Sequence, residues 1–187
     1  MKRILVLLLA LILCFCCIGC NSNDKDNENN DTPKTTFEEF ECIISKAYYV
    51  DNTSIFTNAL NADKVAEGTG HAPIYKLDTK QELDQFKQDY SGHINVSEIG
   101  VQKFNDAVSL YDDSFFEDFS LLVIYSYGFS STIKLTGADV NIDGDSLFVN
   151  INSECDSDNI SDDQTQYIIT VTVKKSTIKD CTSFDAK

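Results

Sequence analysis

Apolar positions fall into three regimes along the chain. Ile4 to Leu13 is an unbroken apolar run behind Lys2 and Arg3. Residues 21–36, NSNDKDNENNDTPKTT, carry no apolar side chain apart from Pro33. From residue 37 onward, apolar residues return with the spacings of strands and helices. Residues 41–50 (ECIISKAYYV) are rich in β-branched and aromatic side chains and predict a strand. Residues 51–70 are polar and end in Gly68 and Gly70, which predicts a loop. Ile74 to Leu77 predicts a short strand after Pro73. Thr79-Lys80-Gln81-Glu82 is a capping-box pattern, and Leu83, Phe86 and Tyr90 follow at helical spacing, with Ser91-Gly92 as the expected stop. Val101, Phe104, Val108 and Tyr111 predict a second helical face, and Asp113-Ser114 a short turn carrying Phe115, Phe116 and Phe119.

The pattern changes at Leu121. Leu121 to Tyr125 is continuously apolar, as in a strand buried on both faces. Thr132 to Ile142 predicts a strand with a bulge or bend at Gly137, and Asp143-Gly144 is a hairpin signal. Leu147, Val149 and Ile151 alternate behind it. Residues 153–164 predict a polar loop, and Tyr167, Ile169, Val171 and Val173 alternate in a last long strand. Strands flanking a helical middle define an α+β class, with a largely antiparallel sheet and two helices on one face. The expected organisation is a signal segment at 1–19, a tether at 20–36 and a single domain at 37–187.

The N-terminal segment sets an address. A basic start, an apolar run and a small residue before a cysteine read as a secretory signal. Ile18-Gly19-Cys20 resembles the bacterial lipobox, with Cys17 at the position that motif usually gives to Leu. The resemblance implies removal of residues 1–19 and a diacylglycerol on the Cys20 thiol, holding the protein on the extracytoplasmic face of the cell membrane. The competing reading is a retained transmembrane anchor. Ile4 to Cys20 is 17 residues, short of the roughly 20 that span a bilayer, and no basic stop-transfer cluster follows. Two acyl chains give stable anchoring where one does not. The Asn/Asp-rich tether cannot bury enough apolar surface to order itself, and as a coil it reaches roughly 20–25 Å.

Charge narrows the partners. The chain of 187 residues carries −15. Loss of Lys2 and Arg3, two positive charges, leaves −17, with no Arg, Met or Trp in residues 20–187. Nucleic-acid recognition rests on basic patches, so no nucleic-acid partner is expected. Of seven cysteines, only Cys42, Cys155 and Cys181 lie in the domain, which allows at most one internal disulfide, with three possible pairings.

The block Tyr111-Asp112-Asp113-Ser114-Phe115-Phe116, the strand Leu121 to Ile124, Gly128, the Asp143-Gly144 turn and the Tyr167 to Lys174 strand resemble a set of uncharacterised Firmicutes-type lipoproteins. More distantly, the pattern is similar to PrcB-like accessory lipoproteins of bacterial protease complexes. The likeness covers residues 73–175 and rests on packing motifs, so what it implies is chiefly a fold.

Candidate chemistry is sparse. His71 and His93 lie in Gly-flanked polar stretches without metal-ligand spacing and predict exposed loop histidines. A Ser-His-Asp hydrolase through either one is a possible reading, although no nucleophile-elbow motif is present. Gly68-Thr69-Gly70 lacks the third glycine and following helix of a phosphate loop. Cys155 lies between Glu154 and Asp156, which suppress a thiolate. Asp156, Asp158, Asp162 and Asp163 could offer hard oxygen ligands to Ca²⁺ in the millimolar range, but Ile160 breaks the EF-hand pattern. Otherwise no cofactor is expected. The leading expectation is an envelope-anchored, non-catalytic lipoprotein that binds an envelope protein. A Ca²⁺ module and a hydrolase are the alternatives.

Overall fold

The computed structural model describes residues 35–47, 57–94, 102–130, 132–155 and 164–187, with side chains at 127–129 and 164 left aside. The strands are β1 (Cys42–Ala47), β2 (Ile74–Leu77), β3 (Phe119–Ser130), β4 (Ile133–Asp143), β5 (Ser146–Cys155), β6 (Gln164–Lys174) and β7 (Ser183–Ala186). The helices are α1 (Ala62–Ala66), α2 (Lys80–Asp89), α3 (Ser91–Ile94), α4 (Phe104–Ala107), α5 (Phe115–Asp118) and α6 (Lys175–Ile178). The fold is α+β, and the segment Thr36–Lys187 forms one compact unit.

Two sheets form rather than one. β1-β6-β3-β2 are paired antiparallel throughout. β4 and β5 form an antiparallel hairpin, and β7 joins β5 in parallel. β3 lies inside the first sheet, so its period-two alternation puts apolar groups on both faces. Phe119, Leu121, Val123 and Tyr125 meet the helical layer. Leu122 and Ile124 meet the second sheet, together with Ile169, Val171, Leu147, Val149 and Phe184. The continuous apolar run at 121–125 follows from this sandwiched position.

The helical layer uses the expected residues in shorter pieces. Thr79 Oγ1 accepts from the Glu82 amide at 3.1 Å while Glu82 Oε2 accepts from the Thr79 amide at 3.1 Å, closing the capping box of α2. Leu83 and Phe86 form its buried face. Ser91-Gly92 does not end helical structure, because α3 adds one further turn that buries Ile94. Phe104, Val108 and Tyr111 are buried as their spacing requires, but α4 is a single turn. Phe115 stacks between Tyr111 and Phe119, with ring centroids 4.3 and 5.3 Å away, and fastens this layer to β3.

Other differences have local causes. Residues 62–66 make α1 inside the expected loop, where Val65 finds a buried contact. Pairing with β4 extends β5 through Ser153 to Cys155, inside the predicted polar loop. At Gly144, φ is +61°, the left-handed conformation that a two-residue hairpin turn needs. The register shift lies at Leu135/Gly137, as the bulge expectation requires. Cys42 and Cys181 are free thiols. Burial pushes the Cys42 thiol up.

Candidate functional site

β7 escapes sequence patterning, and it organises the most polar buried cluster described here. Phe184 and Ala186 point into the core between the sheets, so Asp185 points the other way. It would be exposed if α1 and the residues before β2 did not cover it. Asp185 is only 3% exposed. Its Oδ1 lies 2.8 Å from His71 Nδ1 and accepts from Asn61 Nδ2 at 3.3 Å and from the Ala186 amide at 3.0 Å. Its Oδ2 lies 3.3 Å from Lys64 Nζ. Asn61 bridges further: Nδ2 donates to the Ala72 carbonyl at 2.9 Å, and Oδ1 accepts from the Ile74 amide at 3.0 Å. Burial raises the Asp185 pKa, but the hydrogen bonds from His71, Asn61 and Lys64 outweigh it and hold the carboxyl below the usual range.

Beside this cluster opens a cleft of about 180 Å³ at one end of the space between the sheets. Ser126 on β3 lines it on the same strand face as Leu122 and Ile124, where the β3–β6 register shifts between Ser126 and Phe129. Ala72 and Ile151 supply apolar wall. Gly68 and Gly70 stand at φ +68° and +84°, and a Cβ on either would meet open space. The main chain of Lys187 closes the far side: its oxygen accepts from the Ile151 amide at 2.6 Å, and its amide donates to Val149 at 3.0 Å. Two side-chain atoms on residues that line the cleft make no hydrogen bond among the described residues. One is Ser126 Oγ, on a residue 2% exposed; the other is His71 Nε2, the ring nitrogen not committed to Asp185.

The structure changes the reading of both histidines. His71 is 13% exposed rather than a free loop side chain, because Asp185 captures it. His93 belongs to α3 and lines a small apolar pocket with Tyr75, Phe86 and Tyr90. The sequence offers no local sign of the His71–Asp185 pair, since 114 residues separate its members. Cys20 and the residues Asp156, Asp158, Asp162 and Asp163 lie outside the described residues. Among the described residues, no cluster of three or more His, Cys, Asp or Glu side chains could hold a metal ion, and no helix is long and apolar enough to cross a membrane.

Compared with family models, curated proteins and solved structures, the chain finds no match.

Proposed function

We propose that this protein is a lipid-anchored, non-catalytic envelope protein whose folded unit binds a protein partner through the cleft at His71 and Ser126. The Ile18-Gly19-Cys20 motif supports the anchor. The observation that carries the binding role is the pair of unpartnered polar atoms, Ser126 Oγ and His71 Nε2, facing a partly apolar cleft. Hydrogen bonds from these two groups to a ligand would add to apolar contact with Ala72 and Ile151. A photo-reactive residue at Thr69, beside the glycine lip, should cross-link one envelope protein in intact cells. The same group at Gln85, exposed on α2, should not. Equal labelling at both positions, or none at Thr69, would contradict the reading.

One observation favours hydrolysis as a second reading. Asp185 orients His71 through Nδ1, which is the orienting half of a Ser-His-Asp arrangement. Against it, Ser126 Oγ makes no hydrogen bond to His71, and Ser126 lies within a long strand rather than on a strained strand-to-helix turn. A fluorophosphonate that labels the wild type, but not Ser126→Ala or His71→Ala, would move the balance to hydrolysis.

A further inference from the structure

We infer that residues 37–41 form a releasable strap, which detaches from β6 as a unit while the two cores stay folded and so adds to the reach of the chain that precedes it. The opening stands on geometry alone; its consequence for reach rests on the anchor proposed above.

The strap is held at few points, all at one end of β6. Thr172, 0% exposed, carries most of them. Its carbonyl oxygen accepts from the Phe40 amide at 2.7 Å, and its amide donates to the Glu41 carbonyl at 3.1 Å. Its hydroxyl donates to the Glu38 carbonyl at 2.5 Å and accepts from the Glu41 amide at 3.0 Å. Glu39 accepts from the Lys174 amide at 3.4 Å and lies 3.8 Å from Lys174 Nζ. That lysine side chain is 49% exposed, so water screens the ion pair. Phe37 adds an apolar hold, with its ring 4.8 Å from Phe115 and 5.7 Å from Tyr111 between centroids, yet it stays partly exposed.

A strained hinge favours release. Phe40 stands at φ +64°, the one non-glycine residue with positive φ among the described residues. Phe40 and Glu41 both bond Thr172, a two-against-one bulge whose left-handed first position ordinarily falls to glycine. An L side chain is strained there, and detachment removes the strain. The Phe40 ring does not offset it, being 37% exposed and part of neither core. Beyond the hinge the chain is firmly held, because β1 pairs with β6 from Cys42 to Ala47. The strap therefore opens from Phe37 up to Glu41 and stops. Five freed residues span about 17 Å when extended, which lengthens the polar stretch 21–36 that precedes them.

The test is native-state hydrogen exchange of the full chain in detergent, read amide by amide at rising urea. The Phe40, Glu41 and Thr172 amides should exchange at least about a hundredfold faster than those of Ile124 and Ile169, which face each other in the β3–β6 ladder, and with little dependence on urea. The Ile43 amide on β1 should stay protected when the strap opens. Phe40→Gly relieves the hinge and should slow strap exchange several-fold; Phe40→Ala keeps the Cβ and should not. Phe37→Ala should speed it. Strap amides that share the rate and urea dependence of the ladder would overturn the inference. So would Ile43 opening together with the strap, or Phe40→Ala slowing exchange as much as Phe40→Gly. None of these results bears on the anchor, which fatty-acid labelling reads separately.

Discussion

Asp185 is where single-residue chemistry has the largest consequence. Removing its carboxylate strands the Ala186 amide, Asn61 Nδ2 and the His71 ring, and it frees Lys64. Because Lys64 is 34% exposed, water replaces part of that pairing. Asp185→Ala should therefore cost about 2–3 kcal/mol in urea unfolding, from the unmade buried bonds. The carboxyl pKa is held down in the folded state. Its contribution is therefore complete above the unfolded carboxylate value of about 3.9 and is lost as pH falls through the folded value. In Asp185→Asn the acid limb of the stability profile should flatten; an unchanged acid limb would contradict the hub role. Ser126→Ala removes a hydroxyl that makes no hydrogen bond among the described residues, so its stability should stay within about 0.5 kcal/mol of wild type. None of this was legible in the sequence. Asn61, His71 and Asp185 come from separate parts of the chain, and nothing about their neighbours signals a shared carboxylate.

At the level of elements, legibility tracked length and periodicity. α2 was readable because its cap and its buried face are local, and Thr79→Ala should cost about 1 kcal/mol by loss of the bond to the Glu82 amide. β3 was readable because an apolar run of five residues has few other places to go. The β4–β5 hairpin was readable from Asp143-Gly144 and the alternation that follows it. Gly144→Ala forces a Cβ into a left-handed turn and should cost about 1 kcal/mol, measured by thermal or urea unfolding. What the pattern missed was pairing. β7 is four residues long and owes its strand character to β5, to which it binds in parallel. The split into two sheets was hidden for the same reason: alternation gives each strand's faces but not which faces meet. The acidic stretch with Asp156, Asp158, Asp162 and Asp163 lacks the closing Glu and central Gly of a tight Ca²⁺ loop. Micromolar Ca²⁺ should leave the melting temperature unmoved. A submicromolar affinity lost in Asp158→Ala would promote the metal reading.

For the whole molecule, the proposed function joins two parts of different character. The compact segment Thr36–Lys187 carries the two cores and the cleft. Residues 1–35 contain the Ile18-Gly19-Cys20 motif on which the proposed anchor rests. Residues 36–187 should unfold in one cooperative transition on their own, since the described cores lie within that segment. The proposed role fails as a whole if Cys20 carries no lipid. Metabolic labelling with a fatty-acid analogue, in cells producing the wild type or Cys20→Ala, is the most direct test. The account predicts label on the wild type, with residues 1–19 removed, and an unlabelled, unprocessed Cys20→Ala precursor. Label persisting on the variant, or a wild type that keeps its first 19 residues and takes up none, would contradict it.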